Sequence, residues 1–345
     1  MQLTNPTWIH HSGGAIYSID FHPYGTKLAT CGQGSEGGSG LVVIWNVKPI
    51  TNEKKAQDSC CPRMLSRMLH QACVNCVRWS PDGSLLACGG DDHALTIWEF
   101  GGKINSAGTI GSKDGINVEK YREKHRLYGH TMDILHLEWS KDGRFLASCG
   151  MDNTTIIWDA TNFPYRITVL DKNRDGHDAS VKGLSWDPIG KFLVTQAADK
   201  SLRIWRTDNW RCVKVIKEPF VESNCFLKPY LYGNNAIITS FKGLRLQVSC
   251  FAVGSRDKTL SVWLIPRVDR PLIVLHKLFK HSILDFSWLI LYDFHLIICS
   301  MDGSVKSVVF NENEVGHLLS AMEMVNGSFF VFLLVISLQF HISVM

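Results

Sequence analysis

The 345-residue sequence has no run of five or six like charges, no charged leader followed by an apolar stretch at its start, and no capped segment of helical periodicity. The first absence excludes a polybasic arm and an acidic tail. Lys54-Lys55 is the one basic pair of note in the first insertion, and a weak localisation signal. The second absence argues against secretion. The eleven scattered cysteines are therefore expected as thiols of a reducing compartment, cytosol or nucleus. Long apolar runs are scarce too. The most apolar, SFFVFLLVISLQF at 328–340, is shorter than the roughly 20 residues a spanning helix needs, and Gln339 and His341 interrupt its end. Three readings of it stand, in falling order: a non-native end from truncation or intron read-through, a strand that closes a ring, and a marginal tail anchor. No membrane association is expected.

What is present is an ordinary globular balance, 45% apolar and 20% charged, with length enough to bury a core. The formal net charge of +4 is small for this size. Sequence-independent binding of nucleic acid needs a phosphate-neutralising basic face, so direct binding of that kind is not expected.

A repeat organises the chain. In HTMDILHLEWSKDGRFLASCGMDNTTIIW, His130, Trp139 and Asp152 precede Trp158 at three spacings. The same three spacings relate His177, Trp186 and Asp199 to Trp205, and His70, Trp79 and Asp92 to Trp98. Two further units are partial: Asp257 with Trp263, and Trp288 with Asp302, where Val308 takes the final Trp position. A first unit ends at Trp45 and is lengthened by a Gly/Ser insertion. The end points Trp45, Trp98, Trp158, Trp205 and Trp263 recur at intervals at or somewhat above the roughly 40–50 residues of propeller repeats. Within a unit, ILHLEW, RFLASC and TTIIW are short β-branched and aromatic runs bounded by the turn signals SKDG and GMDN. Short strands at this period predict an all-β fold, a β-propeller of four-stranded blades whose neighbours supply one another's core.

The His, hydroxyl, Asp and Trp of a unit resemble the structural tetrad of WD-repeat proteins: His130, Ser148, Asp152 and Trp158, and again His177, Thr195, Asp199 and Trp205. The expected chain of hydrogen bonds runs from the turn Asp through the His and the hydroxyl to the indole N–H. Such a network stabilises only when every member is satisfied. The unit of His70, Asp92 and Trp98 carries Cys88 in place of the hydroxyl and is expected to be weaker.

Three chemical signals fail on inspection. A Ser–His–Asp trio that recurs is accounted for by the tetrad, whereas a catalytic triad is a single constellation. Gly32-Gln-Gly34-Ser-Glu-Gly37 has dinucleotide-loop spacing but leads into the strand GLVVIW, where the fingerprint needs a helix. Cys73 and Cys76 lie three apart in an apparent strand and so face opposite ways; no second C-x-x-C completes a zinc site. No enzyme activity, cofactor or metal is expected. The residues just before the turn aspartates, Asp91, Met151, Arg256 and Met301, are expected together on one rim. They are candidate partner-binding positions, with solvated loop tips as the plainer alternative.

Several stretches resemble the HIRA family of histone-regulator chaperones: PTWIHHSGGAIYSIDFHPYGTKLATCGQG, ACVNCVRWS, SVKGLSWDPIGKFLVTQAADKSLRIWRTDNW, AVGSRDKTLSVWL, RPLIVLHKLFKHSILDFSW and CSMDGSV. They stand in family order and include loops that the tetrad does not dictate. The resemblance implies a seven-bladed propeller acting as a nuclear scaffold that binds ubinuclein-type subunits and histones. That scaffold would support replication-independent nucleosome assembly and histone gene transcription control. The competing reading is another WD-repeat adaptor, such as a ubiquitin-ligase substrate receptor. Two departures matter. Trp205 and Trp263 stand little more than one repeat apart, where two full repeats would need roughly 80 to 90 residues. Of the family's seven blades, six repeats are therefore recognisable and the fifth is missing or degenerate. The expected domains are a propeller at 1–310, irregular at 206–250, and a non-family tail at 311–345. The resemblance also implies that family members continue into a segment that binds the anti-silencing histone chaperone and into an assembly domain, functions that are not carried over to these 345 residues.

Overall fold

Five segments of one pattern, IYSIDF, VNCVRW, ILHLEW, VKGLSW and ILDFSW, begin five sheets. Each alternates apolar with small or polar residues and ends on an aromatic, a pattern suited to a strand between two packed faces. The computed structural model describes residues 2–34, 38–104, 117–187, 190–217, 234–239, 245–254, 258–265, 272–289, 294–311 and 317–318.

Blade one is a meander of Ile16–Phe21, Lys27–Gln33, Gly40–Asn46 and Met64–His70. Blade two is Val74–Trp79, Leu85–Gly90, Ala94–Lys103 and Glu119–Tyr128. Blade three is Ile134–Trp139, Phe145–Gly150, Thr155–Asp159 and Arg166–Leu170. Blade four is Val181–Trp186, Phe192–Ala197, Leu202–Arg206 and Cys212–Ile216. In each, the first strand is innermost.

The closing sheet joins the two ends of the ring. Ile283–Leu289, Phe294–Ser300 and Val305–Phe310 supply three strands, and the N-terminal Gln2–Thr4 supplies the fourth. The register is Gln2↔Val309, Leu3↔Val308 and Thr4↔Ser307. The strand that completes this sheet thus comes from the start of the chain. The apolar run at 328–340 lies outside the described residues.

The blade count departs from expectation. The described residues form five regular four-stranded blades, counting the closing sheet, and a further sheet of five strands. The latter runs Ile273–Leu275, Leu260–Ile265, Arg245–Gly254, Asn234–Thr239, His317–Leu318. The expected irregular span 206–250 contributes Cys212–Ile216 as the outer strand of blade four. The described parts of its remaining β-prone runs AIITS and LRLQVS, within Asn234–Thr239 and Arg245–Gly254, pair with each other, Ala236↔Val248 and Ile238↔Leu246. Two such runs are too few for a blade of their own, so they extend the unit of Trp263.

Turn chemistry sets the hairpins. At the first hairpin of blades two and three, Gly83 and Gly143 hold φ of +70° and +71°, left-handed values that a side chain resists. At the next turn, the Asp carboxylate accepts the backbone N–H two residues on: Thr154 N to Asp152 at 3.1 Å, Ser201 N to Asp199 at 2.9 Å, Ser304 N to Asp302 at 2.9 Å. This is why Asp recurs there even where the rest of the tetrad is lost.

The core lies between blades. Val42 and Ile44 of blade one pack with Val77, Trp79 and Leu86 of blade two. Leu95 and Ile97 of blade two pack with Leu137, Trp139 and Ile156 of blade three. Neither face of a blade is buried without its neighbour, which couples the ring into one unit. Among the described residues no helix is long and apolar enough to cross a membrane.

Candidate functional site

Two tetrads are complete. His130 Nδ1 stands 2.8 Å from Asp152 Oδ2, and its Nε2 stands 2.8 Å from Ser148 Oγ. Trp158 Nε1 donates to the same hydroxyl at 3.0 Å. In blade four the corresponding distances are 2.9 Å for His177–Asp199, 2.8 Å for His177–Thr195 and 2.9 Å for Trp205–Thr195. Burial works against ionisation of Asp152, but the hydrogen bond and charge of His130, with the N–H of Thr131, pull its carboxyl down to about 2. These networks pin the segment entering a blade to that blade's second and third strands. They are structural, and no reacting group is presented to solvent.

In blade two the network is broken. Trp98 Nε1 and His70 Nε2 are buried without a hydrogen-bond partner, because Cys88 stands where a hydroxyl would receive both. Their rings meet edge to face at 5.5 Å. Burial lowers the His70 pKa to about 4. Cys88→Ser is therefore expected to stabilise the protein by about 1 kcal/mol, read as a higher urea midpoint. A lower or unmoved midpoint would show that the thiol's packing outweighs the missing bonds.

Blade one holds three of the four tetrad members, at spacings that differ from the repeat. His11 Nε2 lies 2.9 Å from Thr30 Oγ1, and Trp45 Nε1 donates to that oxygen at 2.8 Å. His11 stands farther ahead of Trp45 than His130 does of Trp158, because the Gly/Ser insertion lengthens the intervening loop. Allowing one more residue between His11 and Thr30, together with a gap between Thr30 and Trp45, reveals the set. In the closing sheet only Asp302 survives, accepting from Lys280 N at 2.9 Å; Ile298 and Val308 fill the hydroxyl and Trp positions.

Of the rim candidates, Asp91 is exposed and accepts a 2.7 Å bond from Asn75 Nδ2. Met301 is 55% exposed and Met151 is half-buried. Arg256 lies outside the described residues. A shared backbone bond sets the three described positions at one end of the ring: Asp91 N to Cys73 O, Met151 N to Asp133 O, and Met301 N to Ser282 O, at 2.8–3.1 Å. Each ties the rim residue to the start of its blade's innermost strand. Cys76 is buried between blades and Cys73 is half-buried.

The inner strands carry a second feature, a polar belt. Ser18 and Asp20, Cys76 and Arg78, His136 and Glu138, and Asp285 and Ser287 are equivalent pairs in four successive inner strands. A bulge recurs just before them, at Ile16/Ser18, Val74/Cys76, Ile134/His136 and Ile283/Asp285. Arg78 Nη1 lies 3.1 Å from Asp285 Oδ2 and 2.8 Å from Ser18 Oγ, and its Nη2 reaches His136 Nε2 at 3.3 Å. The side chains of the Arg78–Asp285 pair are 2% and 0% exposed. Asp20 accepts the N–H of Trp79 at 2.8 Å and the hydroxyl of Ser287 at 3.1 Å. One guanidinium therefore ties blades one, two and three to the closing sheet. Alternate polar residues inside IYSIDF, VNCVRW, ILHLEW and ILDFSW are the signal that the sequence carries for this belt, and they lie outside the repeat's tetrad positions.

Burial raises the carboxyl of Asp20 to about 6 and that of Glu138 to about 7, against the opposing pull of Arg78 on both. A carboxyl raised in the folded state binds protons that the unfolded chain has released. Its stabilisation is complete below about pH 4 and is lost as pH rises through the folded value. The Glu138→Gln variant removes this loss, so its melting temperature is expected to fall less than the parent's between pH 5 and pH 8. His11 and His70, which burial holds near 4, act in the opposite sense but equally in both proteins. Identical shifts in the two proteins would show that Glu138 does not titrate in this window.

Comparison with known proteins places this geometry. The family model described as the CAF1B/HIR1 beta-propeller domain matches residues 1–228, more than half of the chain. Protein HIRA of Homo sapiens is 41% identical over 378 residues, covering 94% of this chain and 36% of that protein. Protein HIRA of Caenorhabditis elegans is 39% identical over 368 residues, 92% of this chain and 38% of that protein. Protein HIR1 of Cryptococcus neoformans is 32% identical over 388 residues, 94% of this chain and 42% of that protein. The chain thus spans well under half the length of these relatives. The aligned stretches are longer than its own 345 residues, so each relative carries residues with no counterpart here. With its propeller fold, its tetrads and this family match, the chain belongs to the CAF1B/HIR1 β-propeller family and carries a HIRA-type N-terminal propeller.

Proposed function

We propose that the chain is a non-enzymatic scaffold of a HIRA-type histone chaperone. It would act in the nucleus in replication-independent nucleosome assembly and in control of histone gene transcription. The observation that carries this reading is identity of about two residues in five to HIRA proteins across nearly the whole chain. Its direct partners are a ubinuclein-type subunit and, with or through it, histones, held by protein–protein contact without sequence-specific contact to nucleic acid. The relatives' unmatched residues fit a family plan of seven blades, of which this chain lacks most of the fifth. The rim of Asp91, Met151, Arg256 and Met301 is the proposed contact surface: varied side chains, three of them (Asp91, Met151 and Met301) on turns that a common backbone bond holds in place, favour recognition on a rigid frame.

The test is affinity purification of the tagged full chain from nuclei. Recovery of a ubinuclein-type protein with histones is expected; recovery of ligase subunits instead would favour a substrate-receptor adaptor. The triple variant Asp91→Lys, Met151→Ala, Met301→Ala is expected to lose most of that capture with an unchanged melt. Normal capture by it would place the interface elsewhere.

A further inference from the structure

The end of the channel opposite the tetrad turns, where the inner strands finish, holds a cavity of about 350 Å³ drawn from blades one to three and the closing sheet. Its walls are aromatic, with Trp79, Trp139 and Trp288. Asp20 and Glu138 line it from the inner strands of blades one and three, on either side of the strand that carries Arg78, and it reaches the surface at the exposed Lys141. The charges do not balance. Arg78, which also lines it, is committed to Asp285 and Ser18 of the belt. The bonds to Asp20 come from neutral donors, the N–H of Trp79 and the hydroxyl of Ser287. Those to Glu138 come from Ser185 and the N–H of Trp186. Asp20 is thus left with a share of the field of Arg78, and Glu138 with the charge of Lys141 and a share of the same field. Burial holds both above the ordinary carboxylate range, against the opposing pull of Arg78 on each and of Lys141 on Glu138.

We propose that this cavity is a binding site for a lysine side chain presented by an extended basic segment of a partner protein. The chemistry fits at each point along such a side chain. The methylenes lie against indole faces, the ammonium gains from the ring quadrupoles, and it ends between the two carboxylates. A second depression of about 510 Å³ adjoins the first, shares Pro81 and Trp139 with it, and carries Asp82 and Asp142. Against a partial desolvation, hydrogen bonds from Ser80 and Ser84 hold the exposed Asp82 below its ordinary value, so it is ionised at neutral pH. Arg144 lies 3.8 Å from Asp142, a loose contact at the surface. This second depression receives a further basic side chain of the same segment. The site follows from the channel geometry and does not depend on the scaffold reading, whose own test is co-purification.

The test uses the purified full chain and a fluorescein-labelled, end-blocked octapeptide of alternating lysine and glycine, with the glutamate–glycine peptide as control. Fluorescence anisotropy near physiological salt is expected to show saturable binding of the lysine peptide and none of the control. Replacing both carboxyls (Asp20→Asn with Glu138→Gln) is expected to weaken binding on the order of tenfold or more. Lys141→Met removes the resident positive charge at an exposed position and is expected to tighten binding about threefold. That gain cannot arise from misfolding, and melting curves accompany both variants. Equal binding of the two peptides would overturn the proposal, as would unchanged affinity in both variants or the absence of binding to the lysine peptide.

Discussion

Trp158→Ala is expected to lower the free energy of unfolding by about 3–5 kcal/mol, the cost of deleting a fully buried aromatic side chain. Trp158 is 1% exposed and packs with Leu137, Trp139, Leu146 and Ile156 in the contact between blades two and three. Its removal opens a cavity that two blades share and leaves the Ser148 hydroxyl without its indole donor. The tetrad's polar part is worth less. Asp152→Ala strands His130 Nδ1 and the N–H groups of Thr131 and Thr154, at on the order of 1–3 kcal/mol. Trp158→Phe, which keeps most of the packing but loses the N–H, is expected between the two. Urea midpoints with an unchanged denaturant slope are the readout. Midpoints unmoved in both alanine variants would show that the network is not buried.

The second large effect lies at the belt. Arg78→Met is expected to cost about 3–5 kcal/mol, because it leaves the wholly buried Asp285 as an uncompensated charge. It also takes from Ser18 and His136 the guanidinium that links their blades. Asp285→Asn keeps an acceptor for the N–H of Ile19 and for Ser18. The double variant Arg78→Met, Asp285→Asn is therefore expected to recover part of the loss, with a coupling of about 0.5–3 kcal/mol in a double-mutant cycle. A loss below about 1 kcal/mol for Arg78→Met alone would mean that water reaches Asp285 and that the belt does not clamp the ring.

How far each feature could be read in advance follows from how local it is. His130, Ser148, Asp152 and Trp158 fall within one unit at spacings that recur, and so do the partners around Trp205; the gap at Cys88 was visible for the same reason. The His11–Thr30–Trp45 set has the same chemistry, but an insertion stretches one spacing and hides it. The belt is non-local. Arg78 meets Ser18 across 60 positions and Asp285 across 207, and Ser18 meets Asp285 across 267. A spacing search inside one repeat has no access to such pairs. The strand Gln2–Thr4 has no pattern of its own in so short a run; its place beside Val305–Phe310 depends on where the last sheet ends. Between Trp205 and Trp263 the repeat spacings break down, so the sequence pattern does not assign the strands there. Which strands these residues supply, and to which sheet, was decided by pairing with Leu260–Ile265.

The sequence by itself determined the strands, the turns and the tetrads. Period-two alternation, Asp-led turns and left-handed glycines act over a few residues, and each repeat restates them. Only the tertiary structure decided which carboxylate receives Arg78, which acids share the aromatic cavity with Lys141, and how the first strand completes the last sheet. The physical reason is that a blade buries neither of its faces alone. Its polar side chains find their partners on the adjoining blades, and closure of the ring is a condition on all the blades at once rather than on any stretch of chain.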